Sequence, residues 1–338
     1  MRLLIVGNSG GTNVGSSFER SAKLFGIDVL VVNPSIKKPL AKLIGSFNWH
    51  YMGRKPAYLK LIDKNIEDNI LMFKPNYIMS IGISPPGKSV LIKAKLMNIK
   101  LINYLTDDPW QFGYFAGWFL QSLMYYDFVF CTKTNVIGDI EKFCTKKCVY
   151  LKFGYDQFMF GYDCILNKND YGTNEIYFAG GGDSDRVPII KILLANKFNV
   201  KLNGASWNKD YKTLSCFNGH ATPEQLAIST FNAGISLILV RRANRDGHVM
   251  RTFEAAASKG CMLVEDTMEH REIFGGDGEC VVFFNCNEQM ISRARWLLDH
   301  PEERVRLRHA VYRRIVLEGK NTYSDRLRTI LETIGVKV

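Results

Sequence analysis

The chain has 338 residues, enough at roughly 100–200 residues per domain for two domains that each bury a core. Hydrophobic residues make up 46% and charged residues 23%, the balance of an ordinary globular protein, which excludes disordered, collagen-like and coiled-coil classes. The formal charge of +11 is uneven, with 21 cations against 12 acids over residues 1–169 and 23 against 21 over 170–338.

Apolar runs of strand length alternate with helix-period segments, the pattern of parallel sheets covered by helices. In the first half it predicts strands at 2–7, 28–33, 77–81, 99–105, 128–131 and 149–153, with helices between them. The stretch 153–174 loses periodicity and collects Gly, Asp and Asn, as an interdomain connection would. A second strand series follows at 175–179, 199–203, 234–240, 261–265 and 280–284. Helices are expected at 249–259, stopped by Gly260; at 288–299, after Asn287 as N-cap; from Pro301; and at 323–334, stopped by Gly335. The expected class is α/β with two Rossmann-like domains, 1–165 and 174–318, and a final helical segment, 320–338.

The eight cysteines include no C-x-x-C, and the closest pair, Cys144 and Cys148, sits in a Lys-rich turn without nearby histidines. Disulfide and zinc readings are both weak, and no metal is expected. The chain enters strand-like sequence at once, without the apolar region of a secretory signal, so a reducing cytosol is expected. The uncharged run 109–126 just reaches spanning length, but Pro109, Gln111, Gln121 and two glycines make it a buried or interfacial aromatic segment. Between 37 and 60 lie Lys37, Lys38, Lys42, Arg54, Lys55 and Lys60, mixed with Phe47, Trp49, Tyr51 and Met52. Either a solvated lysine-rich surface or an anionic membrane interface would have this composition; nucleic acid is not expected.

Four loops could carry chemistry. G-N-S-G-G-T-N-V-G after the first strand, with Asn8, Gly10 and Gly11, could turn tightly and grip an anion or sugar hydroxyls; Ser16 and Glu19 have capping-box spacing. Its glycine spacing, and Asn33 where an NAD site needs an acid, exclude the dinucleotide fingerprint. N-Y-L-T-D-D-P-W places Asp107 and Asp108 at a strand end, where open α/β sheets bind ligands. A-G-G-G-D-S-D-R offers the backbone of Gly181 and Gly182 and the cation Arg186 to a diphosphate. In R-R-A-N-R-D-G-H-V-M-R-T-F-E-A-A-A-S-K-G, Asp246 and Glu254 are eight apart, and Arg251 and Glu254 are neighbours on one helix face. They are either a surface ion pair or a grip on a diphosphate and a ribose.

The run from His248 to Arg313, with E-H-R-E-I-F-G-G-D-G-E and L-L-D-H-P-E-E-R-V-R-L-R-H-A, resembles the C-terminal domain of group 1 glycosyltransferases, nearest the spore-maturation-protein-like branch. The resemblance implies a GT-B fold: two Rossmann-like domains around a cleft, the donor mainly on the second, and a last helix crossing back to the first. It also implies metal-independent, retaining transfer from a nucleotide-diphosphate sugar, UDP with GDP as the alternative, to a glycan or lipid-linked saccharide, with no tightly bound cofactor. Surface polysaccharide or glycoconjugate synthesis would be the setting, in the cytoplasm or at the inner face of the membrane. The family's E-x7-E motif falls on Asp246 and Glu254. Asp246, His248 and Arg186 are the expected catalytic residues; Gly181, Gly182, Arg186, His220, Arg251, Thr252 and Glu254 are the expected donor ligands; and Asn8, Gly10, Gly11, Asp107 and Asp108 are expected on the acceptor side. A GT-B sugar-nucleotide epimerase and a non-catalytic sugar-nucleotide or glycan-binding protein are the alternatives.

Overall fold

The computed structural model describes residues 1–35, 40–111, 115–144, 148–160 and 171–337. The chain divides into two compact units. The first comprises Met1–Lys152, Ala243–Arg245 and Tyr323–Val338, and the second Phe153–Arg242 and Asp246–Thr322.

The first unit contains β1 (Arg2–Val6), α1 (Val14–Leu24), β2 (Asp28–Val32), α2 (Ala41–Tyr51), α3 (Leu59–Phe73), β3 (Tyr77–Ile81), α4 (Lys88–Leu96), β4 (Lys100–Leu105), α5 (Gly117–Leu123), β5 (Phe128–Cys131), α6 (Thr134–Glu141) and β6 (Cys148–Tyr150). Its six strands pair in parallel in the order β2-β1-β3-β4-β5-β6. Both faces of such a sheet are covered, so β1 reads as a nearly continuous apolar run, Leu3 to Val6, with every residue buried. Ile62, Ile66 and Ile70 recur every fourth residue along α3 and bury into the same core as Leu4, Ile78 and Leu101.

The second unit contains β7 (Glu175–Ala179), α7 (Arg186–Ala195), β8 (Asn199–Asn203), α8 (Tyr211–Leu214), α9 (Pro223–Asn232), β9 (Ile235–Ile238), α10 (Met250–Ala257), β10 (Met262–Glu265), α11 (Met268–Phe274), β11 (Val282–Phe284), α12 (Asn287–Asp299) and α13 (Pro301–Tyr312). Its five strands are again parallel, in the order β11-β10-β9-β7-β8. The last helix, α14 (Tyr323–Thr333), belongs to the first unit, where Ser324 donates to Ser21 of α1 and Tyr323 packs edge-on to Phe18.

Two expected caps are displaced. Ser16 does not cap α1: the helix begins at Val14 after Asn13, and the Ser16 hydroxyl accepts the Gly10 N–H at 2.6 Å, while Glu19 pairs with Lys23. The N-cap of α12 is Cys286, with Asn287 already helical. Lys37, Lys38 and residues 161–170 of the expected connection lie outside the described residues. The run 109–126 contains α5, whose Phe119, Leu120 and Leu123 are buried, and among the described residues no helix is long and apolar enough to cross a membrane. Seven cysteines are free thiols, and no disulfide occurs among the described residues.

Candidate functional site

In an open parallel sheet ligands bind beyond the carboxyl ends of the strands, where successive connections leave in opposite directions. In the second unit that point lies between β7 and β9, since β8 pairs on one side of β7 and β9 on the other. Arg186, the first residue of α7, fills it. Its guanidinium is buried, donating to the carbonyls of Gly181 (3.5 Å) after β7 and Leu239 (3.2 Å) after β9. Asp183 Oδ2 is 3.5 Å away, and Asp183 Oδ1 caps the backbone N–H of Arg186 at 3.0 Å. Nε is buried and has no hydrogen-bond partner among the described residues. Burial holds the Arg186 pKa below its ordinary value, against the stabilising charges of Asp183, Asp246 and Asp185, while Arg241 adds a like charge. A bound anion would relieve that penalty.

The glycine loop beside it is built for close approach. Gly182 donates its N–H to the Ala205 carbonyl at 2.9 Å, and a Cβ there would lie 2.9 Å from the Trp207 ring. Its donor is thus spent on the neighbouring loop, contrary to the expectation that it faces a diphosphate. Gly181 keeps its place beside Arg186 through its carbonyl. Across β8, Asn203 binds the carbonyls of Asn218 (3.2 Å) and Gly219 (3.0 Å) and accepts the Tyr177 hydroxyl (3.0 Å). That fixes the loop carrying exposed His220, and Thr222 then caps α9 through a reciprocal box with Gln225.

Asp246 is half-buried, its N–H donating to the Arg241 carbonyl at 3.2 Å, and its charge acts on Arg186. His248, in contrast, is enclosed. Nε2 accepts the Phe153 N–H at 3.1 Å, which leaves the proton on Nδ1, 2.5 Å from Glu269 Oε2. Gly247 is required because any side chain there would collide with the Glu269 carboxylate. Both ring nitrogens are therefore committed within the fold, and His248 is not placed to exchange protons with a substrate. Thr252 is likewise enclosed: its hydroxyl accepts the Val249 N–H at 3.1 Å and donates to His270 Nε2 at 3.0 Å. His270 Nδ1 donates to the Glu265 carbonyl at 2.7 Å. Burial drops the His270 pKa to about 4. Arg251 and Glu254 form an ion pair across one turn of α10, the carboxylate only 3% exposed and the guanidinium 27%. It is thus a pair buried on its acid side, not a surface pair.

The first unit brings Asn8, Gly10 and Gly11 to the carboxyl end of β1, all exposed, with φ of +87° at Gly10 and +53° at Gly11. Asp107 is half-buried and accepts the Thr106 hydroxyl at 3.0 Å. Asp108 is withdrawn from any acceptor. It is 2% exposed and takes Arg245 in a two-point pair, Nε to Oδ2 at 2.6 Å and Nη2 to Oδ1 at 3.0 Å, plus the Trp110 N–H at 2.9 Å. Arg245 also reaches Asp139 at 2.6 Å, and the Asp108 hydrogen bond raises the arginine's pKa. Sequence reasoning missed Arg245 and Glu269; their partners are 137 and 21 residues away, with no local signal.

The sequence profile of the family described as "Glycosyl transferase-like" matches residues 186–332. No curated protein sequence matches the chain. Among solved structures, sucrose-phosphate synthase from Thermosynechococcus elongatus is similar at 11% identity and a TM-score of 0.68, covering 99% of each chain. An alpha-glucosyltransferase in complex with UDP-glucose and abasic DNA is similar at 11% identity and a TM-score of 0.65, over 98% of this chain and 99% of that one. The UDP-GlcNAc 2-epimerase of Neisseria meningitidis bound to UDP-GlcNAc is similar at 12% identity and a lower TM-score of 0.52, over 99% of each chain. At these identities the likeness is one of fold. The chain has the GT-B fold, with two Rossmann-like parallel sheets, and its residues 186–332 match the glycosyl transferase-like profile.

Proposed function

We propose that the chain is a glycosyltransferase that moves a sugar from a nucleotide-diphosphate sugar to a saccharide or other glycan acceptor. The observation that carries this reading is Arg186: a buried guanidinium at the topological switch of the second sheet, held by the carbonyls of Gly181 and Leu239, with no partner for Nε among the described residues. In the transfer, the bond from the anomeric carbon to the diphosphate breaks with its electron pair left on the phosphate oxygen. The acceptor hydroxyl oxygen forms the new bond to the anomeric carbon and passes its proton to the leaving diphosphate oxygen. Cationic charge near the leaving oxygen lowers that barrier most, and Arg186, Arg241 and Arg251 supply it.

Glu254 accepts the ribose hydroxyls, sharing its charge with Arg251, and Asp246 meets the sugar. The loop carrying His220 faces the base. His248 and Thr252 act as positioning residues, holding the start of α10 through Glu269 and His270. Asn8, Gly10, Gly11 and Asp107 serve the acceptor. The donor is a UDP-sugar, with GDP as the alternative, and the three arginines let the reaction proceed without a metal. Retention of anomeric configuration, kinship with the spore-maturation-protein-like branch, and a role in surface polysaccharide or glycoconjugate synthesis at the cytoplasmic face of the membrane follow from the family resemblance.

The test is incubation with UDP- and GDP-sugars, with and without glycan acceptors, followed by product analysis. A glycosylated acceptor with free nucleoside diphosphate is expected. An epimerised donor formed without acceptor would replace the transferase by an epimerase, and binding without turnover would leave a sugar-nucleotide-binding protein.

A further inference from the structure

The peptide joining Leu239 and Val240, just past the end of β9, is gripped from both sides by charged groups. Its carbonyl oxygen accepts Arg186 Nη2 at 3.2 Å, and its N–H donates to Glu265 Oε2 at 3.0 Å. A trans peptide is planar and sends its two polar groups in opposite directions, so the carboxylate and the guanidinium lie at opposite edges of one plane. All four residues are buried, and water competes with neither bond. Glu265 is itself firmly held. It ends β10 in register with Phe284 of β11, and its carbonyl accepts His270 Nδ1 at 2.7 Å. Its Oε1 accepts Arg242 Nη2 at 2.7 Å and Nε at 3.1 Å.

We propose that Glu265 is a positioning residue for the diphosphate site, aiming and polarising the Leu239 carbonyl that holds Arg186. The inference rests on the donor reading of Arg186 given above and carries it one residue further back. A negative charge on the N–H side and a positive charge on the C=O side both favour the peptide dipole in this orientation, and hydrogen bonds joined in such a chain strengthen one another. A neutral side chain could satisfy the Val240 N–H alone, whereas burying a carboxylate is costly. The pair with Arg242 does not account for that charge, because its guanidinium is 71% exposed and such pairs contribute little. The cation served across the peptide does account for it. With the carboxylate removed the peptide can rotate, and Arg186 loses one of its two carbonyl anchors.

Two double-substitution cycles test it. In steady-state kinetics on the UDP- and GDP-sugars, Glu265→Ala should lower kcat by about 10-fold, part of the loss expected for a whole preorganised donor, with little change in KM and the wild-type circular dichroism spectrum. Glu265→Gln, which can still accept the Val240 N–H, should recover part of that rate, and Arg242→Ala should cost several-fold less than Glu265→Ala. In the Arg186→Lys background, Glu265→Ala should add less than about twofold, since the two residues act as one unit. Urea unfolding of the wild type, Glu265→Gln, Arg186→Met and the double variant reads the same link without any substrate. The midpoint shift caused by Glu265→Gln should shrink by half or more in the Arg186→Met background. Additive midpoint shifts overturn the proposal whether or not turnover is found. So does a loss confined to KM, or an Arg242→Ala variant as slow as Glu265→Ala. A wild type that transfers no sugar while its midpoint shifts are non-additive retires the transferase reading and leaves Glu265 as the residue that positions Arg186.

Discussion

The Thr252 hydroxyl lies 3.0 Å from His270 Nε2, and this buried hydrogen bond ties the first turn of α10 to α11. His270 gives its Nδ1 proton to the Glu265 carbonyl, so Nε2 must stay an acceptor and the ring neutral. Burial accordingly drops its pKa from 6.5 to about 4. Between those values the unfolded chain holds a proton that the folded chain refuses. Stability therefore rises with pH from about 4 to 6.5 and is fully present above 6.5, the whole step being on the order of 3 kcal/mol. Urea unfolding of the wild type between pH 7 and 4.5 should show this loss, and His270→Leu should lack that part of the slope. Equal slopes would mean that His270 is not held neutral.

Arg186→Lys keeps a positive charge but cannot span the carbonyls of Gly181 and Leu239 together. Turnover should fall by on the order of 100-fold, the typical effect of removing one preorganised donor from a developing anion, with a smaller change in KM. Steady-state kinetics with a UDP-sugar checks this. A loss confined to KM would assign Arg186 to ground-state binding only.

Asp108→Ala should act on stability. Removing one member of a buried pair is costly, but Arg245 is one-third exposed, which lowers the expected loss to about 2 kcal/mol. Chemical denaturation of the variant checks the magnitude. Acceptor KM should hardly change, and a large rise in KM with unchanged stability would return Asp108 to the acceptor site.

The strands were readable because buried parallel strands are short apolar runs bounded by Gly, Asp and Asn, as in R-L-L-I-V and E-I-Y-F-A. Their ends were less so. β6 stops at Tyr150, short of the expected end at Phe153, whose N–H goes to His248 Nε2 and not to a neighbouring strand. The helix α9 went unread, although Thr222, with Gln225 three residues on and Pro223 at the first helical position, caps it. The site was only half legible. Thr252, Phe253 and Glu254 are all buried on α10, so periodicity could not tell which polar side chain faces a ligand and which faces the protein. That Thr252 meets His270, and Asp108 meets Arg245, depends on tertiary contacts that no local pattern encodes.

Glu254 offers the sharpest test of the donor site. Calorimetric titration of UDP and a UDP-sugar into the wild type and Glu254→Gln should show binding to the wild type and a weakening of about 10- to 150-fold in the variant. That range corresponds to roughly 1.5–3 kcal/mol for one charged hydrogen bond to ribose, and the variant should keep the wild-type circular dichroism spectrum. A wild type that binds neither UDP nor GDP donors, or a folded Glu254→Gln protein that binds them as tightly as the wild type, would contradict the account.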